Sequence, residues 1–314
     1  MRSTGIGLAS FFWSAVNAGI RWAVQLNFLK PVRLPVRVIS VGNLQVGGSG
    51  KTPLVAQIAQ EAIQRGMGVC ILTRGYRGKW ESFRGEGGVI CPGDPVVSSV
   101  LTGDEPALLH DLCPEAYLGV GLNRVRQFFQ VLQKCSSQID LVILDDGFQH
   151  WKIHKDVEVV ALTSAQPTSF LFRDWARAVR QAHLLVWTKG EQRPPSFGKP
   201  MAKVRLTLPF AQVGQRIWLV TAVADNRAVC EQVLSLGYAV VCHIQKKDHD
   251  IYSLGEVQEI LKQAHEARAQ VVITGKDWVK WRDLGILPSQ VLVLEPHLVF
   301  EEGREAWLQI LWEP

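Results

Sequence analysis

The run Arg37-Val-Ile-Ser-Val-Gly-Asn-Leu-Gln-Val-Gly-Gly-Ser-Gly-Lys-Thr-Pro53 constrains this chain more than any other stretch. A β-branched run (Val38, Ile39, Val41) gives way to a loop with Gly42, Gly47, Gly48 and Gly50, then to Lys51-Thr52 and an apolar segment that reads as a helix. Strand, glycine loop and helix in that order make a phosphate cradle. Backbone N–H groups close on phosphate oxygens, the lysine reaches the β- and γ-phosphates, and the threonine hydroxyl ligates Mg²⁺. Gly47, Gly48, Ser49, Gly50, Lys51 and Thr52 are therefore the expected nucleotide contacts, with ATP or GTP as ligand. The general pattern asks for glycine five residues before Gly50, where Gln45 stands. A glycine-rich turn with an incidental lysine is the bland alternative, and Gly-Lys-Thr directly after a strand disfavours it.

With 314 residues, 47% of them hydrophobic, the chain can bury a large core. Its six scattered cysteines form no Cys-x-x-Cys pair, which argues against zinc or a disulfide framework and suits a reducing compartment. The net charge of +5 is modest, but the first acidic residue is Glu61, after six basic ones, so an anionic partner near the N-terminus is expected. The basic residues form no long stripe and no reader motif, which disfavours nucleic acid. No obligatory protein partner is evident.

The segment 7–29 is apolar but interrupted by Asn17, Arg21, Gln25 and Asn27. A spanning helix would bury Arg21 at a cost of roughly 2.5–3.5 kcal/mol. Phe11, Trp13, Trp22 and Phe28 beside arginines favour an interfacial amphipathic helix over a helix buried in the domain. Beyond it, strands alternating with helical stretches imply βαβ units: an α/β fold with a mostly parallel sheet flanked by helices, P-loop NTPase-like. The break at Pro194-Pro195 introduces a second, smaller α/β domain. The expected divisions are 1–30 for the amphipathic helix, 31–205 for the P-loop core and 206–314 for the smaller domain.

Asp145-Asp146 closes the buried strand 139–144, where P-loop proteins hold Mg²⁺. An ordinary Asp-Asp-Gly turn is the alternative. Asp104-Glu105-Pro106 opens a helix expected over 101–112. Its residues read equally as an N-cap or as a base and metal ligand. Asp248, His249 and Asp250 cluster in the second domain and are able to orient an imidazole. Arg74, Arg77, Lys79, Arg124, Arg173, Arg177 and Arg180 are candidate anion contacts, and Thr274-Gly-Lys-Asp277 follows another strand.

Taken in order, VGNLQVGGSGKTP, LTRGYRG, GDEPALL, LDDGFQH, the KDHD cluster and TGKD resemble the tetraacyldisaccharide 4'-kinase family over nearly the whole chain. That family also lacks glycine at the Gln45 position. The resemblance implies transfer of the γ-phosphate of ATP, with Mg²⁺, to the 4'-hydroxyl of an acylated glucosamine disaccharide 1-phosphate. The product is lipid IVA, made for lipopolysaccharide at the cytoplasmic face of the bacterial inner membrane. It implies Asp104 as base paired with His249, Lys51 as the phosphate-binding catalytic lysine, and Thr52, Glu105, Asp145 and Asp146 as metal residues. Arg74, Gln149, His150 and Arg173 fall in motifs near nucleotide or acceptor. Gly275 stands where the family has glutamate, and Ser49 and Gln45 where it has threonine. The competing reading is a P-loop NTPase acting as an assembly switch or metallochaperone, which would call for clustered Cys and His ligands.

Overall fold

The structure, a computed structural model, describes residues 2–45, 48–82, 86–164, 172–208 and 214–313. The chain begins with α1 (Arg2–Gln25), β1 (Arg37–Asn43), α2 (Lys51–Gln64), β2 (Val69–Thr73), α3 (Lys79–Ser82) and β3 (Gly88–Ile90). It continues through α4 (Ser99–Thr102), α5 (Asp104–Leu112), β4 (Tyr117–Val120), α6 (Arg124–Lys134), β5 (Leu141–Asp145), β6 (Val157–Thr163), β7 (Leu184–Lys189) and β8 (Met201–Thr207). A second set follows: β9 (Arg216–Thr221), α7 (Asn226–Ser235), β10 (Ala239–Gln245), α8 (Leu254–Glu266), β11 (Gln270–Thr274), α9 (Gly275–Asp283) and β12 (Leu292–Leu294). β13 (His297–Glu302) and α10 (Arg304–Trp312) end the chain.

Two sheets result. The larger has the order β13-β8-β7-β6-β1-β5-β2-β4-β3 and the smaller β10-β9-β11-β12. All pairs are parallel except β3 with β4 and β13 with β8, at the two edges of the larger sheet. Parallel neighbours need crossovers, and the helices that supply them cover both faces, so central strands are apolar throughout. β1 is buried from Val38 to Asn43 and pairs Val41 with Asp145 of β5. The phosphate loop and the Asp145-Asp146 turn therefore leave the sheet at one edge, where ligands approach open α/β sheets.

The helix expected over 101–112 is broken at Gly103, whose φ of 94° is left-handed. A Cβ there would lie 2.7 Å from the Tyr76 carbonyl oxygen, so the close passage of the RGYRG loop demands glycine. The break puts Asp104 in the first turn of α5.

The expected division at 206 gives the last strand and helix to the smaller unit, but both lie on the larger sheet. β13 pairs antiparallel with β8, and Trp307 and Leu311 of α10 join the core beneath β1 and α2. Glu61 on α2 is the reason they return. Its buried carboxylate accepts hydrogen bonds from Arg304 (2.6 Å), Trp307 Nε1 (3.0 Å), Trp312 Nε1 (2.7 Å) and Gln57 (2.8 Å).

α1 is docked in the opposite sense to an ordinary surface helix. Ser10, Ser14, Asn17 and Arg21, one face at helical spacing, turn inward. Ser10 Oγ accepts from Phe172 N (2.9 Å), Asn17 donates to the Arg173 carbonyl (2.9 Å), and Arg21 forms two 2.8 Å bonds with Asp174. Leu8, Phe12 and Trp22 point outward, 73%, 71% and 63% exposed. Among the described residues no helix is long and apolar enough to cross a membrane.

Glu61→Ala should lower stability by about 3 kcal/mol in urea unfolding, because it strands two indole N–H groups and a guanidinium. A loss near zero would mean that α10 is held by apolar packing alone.

Candidate active site

The phosphate loop is held from below by its own polar residues. Asn43 Nδ2 donates to the Gln45 carbonyl (2.6 Å) and to Ser49 Oγ (2.7 Å). Gln45 Oε1 accepts from Thr163 of β6 (2.7 Å). A side chain at this position thus ties the loop to the sheet, where glycine would leave it free. The Ser49 carbonyl accepts from Thr188 Oγ1 (2.9 Å), and Gly50 takes a left-handed φ of 75° to start α2. Lys51 Nζ lies 3.5 Å from Asp146 Oδ1, and Thr52 is buried at the helix start. Gly47 lies outside the described residues.

The two aspartates at the end of β5 part company. Asp145 stays in the sheet and accepts from Thr73 Oγ1 (2.9 Å). Burial, then the charges of Glu105 and Asp146, push its carboxyl up to about 6 against the pull of Lys51 and Arg124. Asp146 has a left-handed φ of 49°, a region that aspartate enters more readily than most side chains, and the strand ends there. Arg173 grips it with two bonds of 2.8 and 2.9 Å. Burial opposes its charge, but Lys51 and Arg173 outweigh that and hold it far below the ordinary range.

Beside this pair lies a cavity of about 230 Å³ lined by Arg74, Leu122, Arg124, Asp146, Gln149, His150 and Arg173. Three of its polar atoms, Gln149 Oε1, His150 Nε2 and Arg173 Nε, are buried without a hydrogen-bond partner. Burial, then Arg124 and two lysines, push His150 down to about 3, so it is neutral. The chamber is thus cationic and carries free hydrogen-bonding groups, which suits an anion. Arg124, one of seven basic candidates in the sequence, lies fully within it and donates to the Asp146 carbonyl (3.3 Å). A larger cavity of about 600 Å³ opens at the N-terminal ends of the strands, beside Gly68, Pro92 and Gln138, and gathers none of these groups.

The smaller unit closes the site from the far side. His249 Nδ1 lies 2.8 and 3.0 Å from the two Asp104 oxygens, bridging the units. His249 has a φ of 65°, its carbonyl accepts from Arg77 (3.3 Å), and the Tyr76 ring meets the imidazole edge-on at 5.4 Å. Burial disfavours the Asp104 charge, yet the His249 hydrogen bond and the Lys276 and Lys280 ammoniums hold its carboxyl below the ordinary value. Lys276 pairs with Glu105 at 2.9 Å, and Lys280 approaches Asp104 at 3.9 Å. Lys280 lies beyond the TGKD motif, and Lys276 was legible only as part of it. Its Asp277 is structural, fully buried and hydrogen-bonded to Tyr252, Thr274 and the Ala222 amide. Further contacts join the same surfaces: Asp283 with Ser98 and Ser99, and Arg282 with Asp111.

The expected metal residues do not form a protein cage. Among the described residues no three acidic, histidine or cysteine side chains gather around one point. Glu105 is taken by Lys276, and Asp146 by Arg173 and Lys51. That arrangement fits Mg²⁺, which keeps waters and takes phosphate oxygens beside one or two carboxylates.

A P-loop at the edge of a parallel sheet, with a carboxylate–imidazole pair formed between that unit and a second one, defines a nucleotide-binding protein of the P-loop kinase class. A family model described as tetraacyldisaccharide-1-P 4'-kinase matches residues 6–312, and the chain belongs to that family. A tetraacyldisaccharide 4'-kinase of Geobacter metallireducens is 33% identical over 307 residues, 88% of this chain and 87% of that one. Another, of Aquifex aeolicus, is 39% identical over 247 residues, 72% of this chain and 76% of that one. The crystal structure of LpxK from Aquifex aeolicus in complex with ATP matches with a TM-score of 0.75 at 26% identity, covering 99% of this chain and 100% of that chain.

A carboxyl raised above its ordinary value binds its proton more tightly in the folded than in the unfolded chain. The stability it contributes is therefore present at low pH and lost as pH rises through about 6. Asp145→Asn keeps an oxygen for Thr73 and removes the charge, so it should gain on the order of 2 kcal/mol in urea unfolding at about pH 8 and little at about pH 4. An equal gain at both values would mean that the charge is not the cause.

Proposed function

We propose that this chain transfers the γ-phosphoryl group of ATP to the 4'-hydroxyl of a tetraacylated glucosamine disaccharide 1-phosphate, forming lipid IVA in lipid A synthesis. The observation that carries the reading is the Asp104–His249 pair, formed between the two units, in a chain whose Lys51 and phosphate loop stand beside Asp146. A sugar hydroxyl is a weak nucleophile, and phosphoryl transfer asks the protein for positioning and charge stabilisation more than for covalent chemistry.

The phosphate loop and Lys51 hold the nucleotide with its terminal phosphate toward the second unit. Mg²⁺, when bound, neutralises charge on the β- and γ-phosphates, and Thr52, Asp145 and Asp146, with Glu105 nearby, would hold it. The acceptor proton passes to the Asp104–His249 pair acting as one unit. Asp104 alone is a weak base, since the imidazole and two lysines lower its affinity for a proton. Arg74, Gln149, His150 and Arg173, with Arg124, bind anionic parts of nucleotide or acceptor in their cavity.

We further infer that the chain works at the cytoplasmic face of the bacterial inner membrane, its outward apolar face of α1 in the lipid interface. Arg21 is committed to Asp174. It is therefore no lipid contact, and the attraction falls to apolar burial and to Lys30 and Arg33.

In a transfer assay with Mg-ATP and the disaccharide acceptor, Asp104→Asn and His249→Ala should each lower kcat by about 10²–10⁴ while leaving ATP binding within a few-fold. Full transfer by His249→Ala would remove the pair from the mechanism. Replacing Phe12 and Trp22 together by serine should reduce co-sedimentation with anionic vesicles while the fold, judged by circular dichroism, persists. Unchanged partitioning would detach α1 from membrane binding.

A further inference from the structure

One charged group of the site does more than lower the proton affinity of Asp104. Lys276, in the first turn of α9, places its ammonium 2.9 Å from Glu105 Oε1 and 3.9 Å from Asp248 Oδ1. Glu105 belongs to the large-sheet unit and Asp248 to the loop after β10, so one cation stands between the two units. Burial works against its charge, but Glu105, Asp104 and Asp248 more than offset this and keep it protonated beyond the ordinary lysine range. Asp248 Oδ1 is buried and accepts no hydrogen bond, so a second acceptor waits close to the first. Glu105 in turn is the neighbouring charge that most raises the buried Asp145. The carboxylate that Lys276 holds is therefore also one that a cation beside Asp145 would meet.

We propose that Lys276 keeps the place of the divalent cation at Glu105 and yields it when metal and nucleotide enter, its ammonium passing to Asp248 Oδ1. The inference rests on the reading that Glu105 helps to hold Mg²⁺. A partly buried carboxylate whose charge reaches Asp145 needs a cation, and the ammonium supplies one without fixing coordination geometry. A divalent ion bridging phosphate oxygens attracts the same carboxylate more strongly, and Asp248 receives the displaced ammonium within its own unit. Lys276 is a positioning residue in this scheme: it keeps Glu105 charged and aimed, and it competes with the metal it makes room for.

The test is Mn²⁺ binding to the full chain with a non-hydrolysable ATP analogue, read from the electron paramagnetic resonance of free Mn²⁺. Lys276→Met and Lys276→Gln should tighten Mn²⁺ binding roughly two- to fivefold, the range expected from removing one competing ion pair. Lys276→Arg, which keeps the charge, should stay near the parent. Glu105→Gln should weaken binding, and Lys276→Met should add nothing in that background. Unchanged or weaker binding in both neutral variants, with Glu105→Gln weakened, overturns the placeholder role and leaves the metal reading standing. Unchanged binding in Glu105→Gln overturns the metal reading and the inference with it.

Discussion

Charge compensation among clustered carboxylates is the constraint on which the rest of this site depends. Asp104 and Asp145 are buried and Glu105 and Asp146 half-buried at one sheet edge, so their negative charges are only partly solvated and need partners from the protein. Each is answered from a different element. His249 answers Asp104, Lys276 answers Glu105, and Arg173 and Lys51 answer Asp146. Asp145 accepts from the Thr73 hydroxyl, and burial with the charges of Glu105 and Asp146 outweighs the pull of Lys51 and Arg124, so its carboxyl is pushed up to about 6.

The same bookkeeping of polar groups explains the small unit's grip on the large one. Three ion pairs or charged hydrogen bonds cross the junction at α5 and α9, and a half-buried Asp283 adds backbone and hydroxyl partners at α4. Contacts of this kind are directional and individually modest, unlike a continuous apolar seam. They define one arrangement of His249 over Asp104 and remain exchangeable, which a site that must admit a nucleotide requires.

Much of this was legible in the sequence. The buried strands β1, β2, β4 and β5 show as short apolar runs bounded by glycine or aspartate, because strands covered on both faces carry no polar alternation. The Asp-Asp turn and the phosphate loop share an edge by parallel register, so the site's two halves followed from the fold class. The pairing of Asp104 with His249, 145 residues apart, came from family resemblance and not from spacing. Other features were hidden for physical reasons. β13 is an edge strand and β8 its inner neighbour, both with mixed burial, and nothing local says that residues 297–312 return across the molecule to Glu61. Gln45 looked like a gap in a glycine pattern, since its bond to Thr163 spans 118 positions. Lys276 and Lys280 gain their meaning only from the acids that α9 faces.

The surface helix and the phosphate loop turn out to share a residue. The Arg173 carbonyl accepts from Asn17 of α1, its amide donates to the Leu44 carbonyl (2.7 Å), and its guanidinium holds Asp146 and Asn43. Asn43 is the same side chain that pins Gln45 and Ser49 in the loop. A helix that turns its apolar side outward cannot anchor itself by hydrophobic burial against the body, so it must be fastened by polar groups. The fastening runs through Arg173 and Asp174, immediately beside the active site. Inverting the helix therefore meets two needs with one segment. The outward face is left free for an apolar environment, and the inward face fixes the guanidinium that orients Asp146 toward Lys51.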